Sequence, residues 1–346
     1  METIFISGNP LNTKIINDTK KITGINNFTL IDIPLPLRYR IKNYKNRLYP
    51  PVYTRIKKVI KYLRNANAII STSHNFPEYL SKYEIKKPTL IYLYHGTGTR
   101  AYGFESSLKE FDHILIPGQY HKDRLIKSFP VKDGQLEMVG VPKLDWMKIK
   151  KSKSQRLFNN DNPIFYYNPH WEIEFSSYLK WKDVILEFFK QKKFYNLIFS
   201  PHPLIQHLSK KTGYELNEKN IVEDNILVDL ESDQCLDGTY TSMADVYIGD
   251  ISSMVTEWVM EKPRPCIFIN AHNVNWKGND DYYIWRFGKV VNELKEFEDA
   301  VKKSTHHNDF EKIQKKLKNE FIYSSDKSSS DLCARFIETK LSIPSK

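Results

Sequence analysis

Short apolar runs alternate with helix-forming stretches along the whole chain, and this alternation is what most restricts the fold. In the first half of the chain, the runs that predict strands are Thr3–Ser7, Thr29–Ile33, Ala68–Ser71, Thr89–Tyr94, His113–Ile116 and Leu136–Val139. In the second half they are Ile164–Asn168, Asn196–Ser200, Asn225–Val228, Asp245–Ile248 and Cys266–Ile269. Several runs end at a polar or Gly/Pro turn and precede a helical pattern, which is typical of parallel sheets covered by helices on both faces. The sequence therefore predicts an α/β fold.

A polar, charged segment over residues 148–163 separates the two sets of strands and contains no strand of its own. We predict an N-terminal domain over residues 1–150, a C-terminal domain over residues 160–325 and a C-terminal helical segment over residues 326–346. A chain of 346 residues is long enough for two domains of ordinary size. Because ligands of open parallel sheets bind at the carboxyl ends of the strands, we expect the functional site in a cleft between the domains.

The apolar runs and the cysteines indicate the cellular compartment of the protein. No apolar run approaches the roughly 18 residues of a membrane-spanning helix, and no positively charged leader with a cleavage site is evident. The three cysteines are odd in number, far apart and without CxxC spacing, so neither a zinc site nor a disulfide framework is expected. These features favour a reduced, cytoplasmic location.

Positive charge is concentrated in the first half of the chain. Residues 1–150 contain 25 Lys and Arg against 12 Asp and Glu, whereas the remainder contains 27 against 29. Between residues 38 and 64 there are ten basic residues, no acidic one, and several interleaved tyrosines. Such a segment favours an anionic partner, although a solvated lysine-rich face is the simpler alternative. The candidate contacts with an acceptor or a membrane are Arg38, Arg40, Arg55, Lys57 and Lys58.

A predicted strand that turns into a helix through glycine and serine gives the strongest functional signal. The strand over residues 246–248 ends at Gly-Asp250, and Ser252 and Ser253 precede an apolar helical pattern. Unpaired N–H groups, hydroxyls and the positive end of a helix dipole bind phosphate. Glu257 lies one turn beyond Ser253 on the same side, where its carboxylate can accept two ribose hydroxyls. The pattern predicts a nucleotide diphosphate site that also includes Asp250.

Three polar clusters directly follow predicted strands: His95-Gly-Thr-Gly-Thr-Arg100, Asn168-Pro-His-Trp-Glu172 and Ser200-Pro-His-Pro203. One histidine at a strand end is more often structural, but His95 and His202 occupy matched positions in the two predicted domains. The first cluster also fits the GxGxxA turn of dinucleotide sites. No acidic residue ends the next strand, which disfavours NAD binding. We therefore predict that Gly96, Thr97 and His170 lie against the donor.

Taken in order, His95-Gly-Thr, Pro201-His-Pro and Asp250-Ile-Ser-Ser…Glu257 resemble the CDP-glycerol glycerophosphotransferase family of teichoic-acid and capsule polymerases. The segment from Asp326 to Arg335 resembles the Asp-Gly-Lys-Ala-Ser…Arg run that often closes such domains. The likeness covers roughly residues 88–335. The sequence departs from the family at Asn168-Pro-His-Trp, where members often have Thr-Trp or Thr-His.

The resemblance implies the GT-B fold, in which two Rossmann-like parallel-sheet domains face a central cleft. It implies transfer of glycerol phosphate or ribitol phosphate from a CDP-alditol to a hydroxyl, with release of CMP. His95 would be the general base, and His202 would neutralise charge on the transferred phosphoryl group and the leaving CMP. Ser252 and Ser253 would hold the diphosphate, and Glu257 the ribose.

The chemistry does not demand a metal ion, because helix N-termini and protonated histidine can supply a positive field, and the chain contains no Asp-x-Asp. We expect no metal and no cofactor other than the nucleotide-activated donor as substrate. The other expected partners are an anionic or lipid-linked glycan acceptor and the inner face of the cytoplasmic membrane, without nucleic acid.

Three alternatives remain at this point. A GT-B glycosyltransferase for capsule or lipopolysaccharide synthesis would use a nucleotide sugar through the same Ser-Ser…Glu site. An epimerase of the same fold needs additional carboxylates in the cleft, and Asp112 and Glu172 are the only convenient ones. A non-catalytic binder of nucleic acid fits the tyrosines among the basic residues, but has no need for the strand-end histidines.

Overall fold

The computed structural model of the chain describes residues 2–8, 10–33, 53–85, 88–150, 156–202, 205, 222–230, 232–235 and 237–341. The predicted contact residues Arg38 and Arg40 lie outside the described residues, as does the side chain of Arg55.

The first half of the chain contains two parallel sheets. The smaller sheet pairs β1 (Ile4–Ser7) with β2 (Thr29–Asp32), and α1 (Pro10–Thr23) connects them. The larger sheet has four strands in the order β3 (Ala68–Ser71), β4 (Thr89–Leu93), β5 (His113–Ile116) and β6 (Leu136–Met138). The helices of this half are α2 (Tyr53–Arg64), α3 (Phe76–Lys82), α4 (Gln119–Ser128) and α5 (Pro142–Lys150).

The second half contains a seven-stranded sheet in the order β13-β12-β11-β7-β8-β10-β9, in which only β9 is antiparallel to its neighbour. Its strands are β7 (Ile164–Asn168), β8 (Asn196–Phe199), β9 (Val222–Glu223), β10 (Ile226–Val228), β11 (Val246–Gly249), β12 (Cys266–Ile269) and β13 (Lys289–Val291). The helices are α6 (Tyr178–Gln191), α7 (Thr239–Met243), α8 (Met254–Glu261), α9 (Leu294–Ser304), α10 (Glu311–Phe321) and α11 (Ser329–Leu341). Short 3₁₀ segments include Ala101–Phe104, Ile173–Phe175 and Asp280–Phe287.

The predicted α/β class with parallel sheets is confirmed. Each predicted strand is present with its ends shifted by no more than one residue. The strands β9 and β13, which have two and three residues and lie at the edges of the sheet, were not predicted. The domain boundaries stay a prediction.

The central strands of the seven-stranded sheet are largely apolar because helices cover both faces. In β8 and β12 every residue is buried. One face packs against Trp181 and Ile185 of α6 and Phe297 of α9. The other packs against Trp258 of α8 and Trp285 of a 3₁₀ segment. Burial on both faces removes the alternation of polar and apolar residues that marks a one-sided sheet.

The last helix returns to the first half of the chain. Cys333 of α11 is buried against Ile91 and Leu115 of the four-stranded sheet. The preceding helix, α10, buries Leu317 and Phe321 in the core of the second half. Of the helices in the described residues, none has the length and apolar character needed to span a bilayer.

Two glycines adopt a left-handed backbone conformation, but only one of them has other atoms close to the position of a side chain. Comparing them distinguishes the cost of backbone strain from the cost of steric contact. Gly140 (φ +77°) has no room for a side chain, because a Cβ there would lie 2.3 Å from Ser329 Oγ and 2.9 Å from the Tyr323 carbonyl oxygen. Gly134 (φ +69°) has no neighbouring atom within 4 Å of that position.

We expect Gly134→Ala to lower the free energy of unfolding by about 1–2 kcal/mol, the usual cost of a left-handed alanine. Gly140→Ala should cost an additional 1–3 kcal/mol or so, because Ser329 and the backbone at Tyr323 must move. Urea unfolding of both variants measures the difference. If both variants lose the same free energy of unfolding, the neighbours of Gly140 add no steric cost to an alanine at that position.

Candidate active site

The loop after β4 lies directly against the first turn of α8. A Cβ built on Gly96 would lie 3.9 Å from Glu257 Oε1, and one on Gly98 would lie 3.6 Å from Ser253 Cβ. Both distances are ordinary van der Waals separations, so the loop and the helix lie within contact distance of each other. The structure brings His95, which precedes Gly96, to the predicted phosphate turn.

Two buried threonines join the loop to the helix. The Thr97 side chain is buried and donates a hydrogen bond from its hydroxyl to that of Thr256 in α8. Thr99, also buried, donates from Oγ1 to the backbone carbonyl of Asp281 at 3.0 Å. Because its threonines are anchored on the opposite wall, the loop has little freedom to move His95 away from α8.

The His95 side chain is exposed to solvent at the cleft, and the surrounding walls remove part of the water around its ring. Burial by these walls is the main cause that lowers its pKa, and the positive charge of Lys143 lowers it further. The carboxylate of Glu257 acts in the opposite direction. A histidine that is unprotonated at neutral pH can accept a proton from a hydroxyl group.

The two serines of the predicted phosphate turn have different environments. Ser253 is the N-cap residue of α8, and its side chain is exposed. Ser252 is buried, and its Oγ accepts a hydrogen bond from the Met254 N–H at 3.2 Å. Of the two hydroxyls, that of Ser253 is therefore presented to solvent at the positive end of the helix.

Asp250 lies behind this turn, where it binds the backbone of another loop. Its Oδ2 accepts hydrogen bonds from the N–H groups of His170, at 2.9 Å, and Ser177, at 3.0 Å. Complete burial raises the pKa of the Asp250 carboxyl to about 7. These contacts give Asp250 a role in fixing the loop after β7, and they do not direct its carboxylate toward a donor.

His170 and His202 lie close together at the ends of β7 and β8, with ring centres 6.1 Å apart. His170 Nδ1 accepts a hydrogen bond from the Glu172 N–H at 3.1 Å. Burial lowers the pKa of His170 to about 3, with smaller effects from Arg100 and His202, and burial lowers that of His202 to about 4. Both rings are therefore neutral at neutral pH unless a bound anion raises their pKa values.

Two ion pairs cross between the halves of the chain beside these residues. The guanidinium of Arg100 binds both carboxylate oxygens of Glu172, at 3.1 and 2.5 Å, and lies 4.3 Å from the centre of the Phe175 ring. Lys143 Nζ binds both oxygens of Glu257, at 2.7 and 2.9 Å. The carboxylate predicted to bind ribose thus already has a cationic partner from the other half.

Asp281 makes a third set of contacts between the halves. Its Oδ1 accepts hydrogen bonds from the Ala101 N–H at 2.8 Å and from the guanidinium of Arg124 at 3.0 Å. Sequence reasoning missed this role, because nothing in the sequence pairs Asp281 with Ala101 or Arg124. It also missed Lys143, which lies four residues beyond the predicted strand over residues 136–139.

The described part of the chain contains no group of three His, Cys, Asp or Glu side chains arranged to hold a metal ion. Of the predicted basic contacts, Lys57 and Lys58 are exposed on α2. The opposite side of that helix buries Ile56, Val59 and Leu63 in the core of the four-stranded sheet.

Asp250→Asn tests the buried carboxyl through the pH dependence of stability. Its pKa is about 7 in the folded protein, against roughly 3.9 in an unfolded chain. The folded state therefore binds the proton more tightly, and the resulting stabilisation, complete below about pH 4, is lost as the pH rises to about 7. An asparagine oxygen can accept the same N–H bonds without titrating. The free energy of unfolding of the variant, relative to wild type, should rise by about 1–3 kcal/mol between pH 5 and 7.5.

The matched control is Asp183→Asn, since the Asp183 side chain is 85% exposed. Urea unfolding at several pH values should give this variant the same pH dependence as wild type. If Asp250→Asn also follows wild type, the Asp250 carboxyl does not carry a proton near neutral pH.

The chain is similar in sequence to one known protein family. The sequence profile of the family "CDP-Glycerol:Poly(glycerophosphate) glycerophosphotransferase" matches residues 39–339. No curated protein matches the sequence significantly.

Solved structures show the same fold at low sequence identity. The wall teichoic acid polymerase TagF aligns with 99% of this chain and 89% of its own, with a TM-score of 0.64 and 15% identity. MnaA from S. aureus, solved with UDP, aligns over 100% and 98%, with a TM-score of 0.61 and 11% identity. UDP-GlcNAc 2-epimerase from Neisseria meningitidis, bound to UDP-GlcNAc, aligns over 99% and 100%, with a TM-score of 0.59 and 10% identity.

These neighbours confirm the predicted GT-B architecture, while the profile covers most of the chain and includes every element of the cleft described above. The chain belongs to the CDP-glycerol:poly(glycerophosphate) glycerophosphotransferase family.

Proposed function

We propose that the protein transfers glycerol phosphate or ribitol phosphate from a CDP-alditol to a hydroxyl of a teichoic-acid or capsule-type glycan precursor, and releases CMP. The observation that carries this proposal is the contact of the His95 loop with the first turn of α8. It places a neutral histidine from one half beside an exposed serine at a helix N-terminus of the other. A base and a phosphate-binding turn that face each other are what phosphoryl transfer to a hydroxyl requires.

In the proposed reaction, the acceptor hydroxyl oxygen forms a bond to the phosphorus that carries the alditol. The bond from that phosphorus to the bridging oxygen breaks, and CMP leaves with the electron pair. His95 accepts the hydroxyl proton. Ser253 and the N-terminus of α8 hold the diphosphate, with Ser252 supporting the turn from behind.

The remaining residues bind and neutralise the donor without a metal ion. His202 donates a hydrogen bond to a phosphoryl oxygen, and its protonation on donor binding would add positive charge there. His170 lies against the donor beside it, with Nδ1 accepting from the Glu172 N–H and Nε2 3.3 Å from Arg100 Nη1. Glu257 accepts the ribose hydroxyls. Fixed donors in a cleft that excludes water are more effective than the same groups in bulk solvent. No cofactor takes part beyond the CDP-alditol itself.

Release of CMP tests these assignments. We expect the wild-type protein to release CMP from CDP-glycerol or CDP-ribitol, with or without EDTA. His95→Asn should lower kcat by about 10²–10⁴-fold, the usual contribution of a general base. Ser253→Ala, which removes a hydrogen bond to a charged group, should lower kcat/KM by roughly 10–100-fold. Wild-type turnover of neither CDP-alditol would overturn the proposal.

A GT-B glycosyltransferase that uses a nucleotide sugar is the second candidate. Its support is that two neighbours of this fold, one of them an epimerase, were solved with UDP or UDP-GlcNAc, so a nucleotide sugar is a reasonable donor to test. The same assay separates the two functions when a panel of nucleotide sugars is included. Release of a nucleoside diphosphate from a sugar donor, without CMP from either CDP-alditol, would support the glycosyltransferase.

We further propose that the basic residues between 38 and 64 meet an anionic acceptor or the acidic inner face of the cytoplasmic membrane. The amphipathic placement of α2 supports this, since its buried side anchors the helix and its exposed side presents Lys57 and Lys58. Each lysine close to an acidic membrane surface contributes about 1 kcal/mol.

The double variant Lys57→Glu/Lys58→Glu should bind phosphatidylserine vesicles roughly 10–30-fold more weakly than wild type in co-sedimentation. The control Lys302→Glu/Lys303→Glu makes the same charge change at two exposed positions of α9. Equal weakening by both variants would show an effect of net charge alone. Unchanged vesicle binding, with a raised KM for a polyanionic acceptor, would assign α2 to the acceptor.

A further inference from the structure

Lys143 brings a positive charge across the cleft to the predicted ribose-binding carboxylate. Its Nζ binds both oxygens of Glu257, at 2.7 and 2.9 Å. The Glu257 side chain is only 6% exposed, whereas that of Lys143 is 35% exposed. The charge of a carboxylate this buried needs a cation and hydrogen-bond donors to compensate it. Lys143 supplies both.

The position of Lys143 is fixed by the C-terminal serine segment. The Val141 N–H donates to Ser329 Oγ at 3.0 Å. Asp145 Oδ2 accepts hydrogen bonds from the N–H and the hydroxyl of Ser330, at 2.8 and 2.9 Å. Lys143 lies between these two anchored residues, in the first turn of α5, so its backbone has a defined position relative to the cleft.

The same ion pair lies beside the proposed general base. Gly96, which follows His95, is the residue whose added Cβ would lie 3.9 Å from Glu257 Oε1. Of the charged groups in the described residues, those that act on the His95 ring are Lys143, from α5, and Glu257, from α8. The ring therefore lies next to a cation and an anion that neutralise each other.

We propose that Lys143 is a positioning residue for the transfer reaction, holding the Glu257 carboxylate oriented for the donor ribose and keeping a positive charge beside His95. This inference rests on the function proposed above. It assigns Lys143 no contact with the reacting atoms. The proton of the acceptor hydroxyl still goes to His95, as the new bond to phosphorus forms and CMP departs.

The sign of each charge predicts opposite effects of two substitutions. Lys143 lowers the pKa of His95 and Glu257 raises it. Removing the ammonium leaves the carboxylate uncompensated, so His95 is protonated at higher pH. Removing the carboxylate charge leaves the ammonium alone, so His95 is protonated only at lower pH. The general base acts in its neutral form, so the activity falls at low pH as His95 becomes protonated. The pH of that fall should therefore rise when the ammonium is removed and drop when the carboxylate charge is removed.

The first experiment measures kcat/KM for CMP release between pH 5 and 9. In Lys143→Met, the midpoint of the acidic limb should move to higher pH by roughly 0.5–1, with a matching loss of about 3–10-fold at pH 6. In Glu257→Gln it should move to lower pH. Lys143→Arg should restore the wild-type midpoint, because it restores the charge. Lys148→Met, an exposed position on the same helix, serves as the control and should leave the profile unchanged.

The second experiment does not depend on turnover. NMR titration of histidine-labelled protein follows the His95 resonance, assigned by its loss in His95→Asn. Its midpoint should rise in Lys143→Met and fall in Glu257→Gln, relative to wild type. If both variants titrate as wild type does, or if Lys143→Met lowers activity equally at all pH values, the inference is wrong. A shifted titration in a protein that releases no CMP would instead reject the transfer function while retaining the role of Lys143 at this site.

Discussion

The close approach of the His95 loop to the first turn of α8 is the contact on which the candidate site depends. Gly96 and Gly98 lie so near to α8 that a Cβ added at either position would be in van der Waals contact with Glu257 or Ser253. The parallel sheets make this contact possible, because their strands all end at the same edge and their loops face one cleft. The contact itself turns two sets of strand-end residues into a single site with histidine on one wall and a helix N-terminus on the other.

Much of this arrangement was predictable because it depends on residues that are near one another in sequence. Continuous apolar runs identified the buried strands, and the polar residues that follow them identified the loops of the cleft. The strand-to-helix turn at Ser253 was predictable for the same reason, since capping serine and the apolar pattern of α8 are adjacent. Two edge strands, β9 and β13, were missed, and β9 has only two residues, which are too few to establish a pattern.

The contacts between the halves were not predictable, because they join residues far apart in the chain. Glu257 showed a helical spacing from Ser253, but nothing in the sequence pairs it with Lys143 or Asp281 with Arg124. The same holds for Asp250, whose position beside the serines suggested a donor contact. Its carboxylate instead accepts hydrogen bonds from two N–H groups about 75 residues earlier in the chain. Such roles depend on the direction of the side chain and on partners far away in the sequence. The spacing of residues along the sequence gives no information on either.

The return of α11 to the first half has a mechanical consequence. The chain passes between the halves twice, once between α5 and β7 and again between α10 and α11. A body connected to another at two points can rotate about the line through both connections, but the second connection opposes twisting about any other axis. If the two halves rotate relative to each other, these two connections favour rotation about the single axis that passes through both.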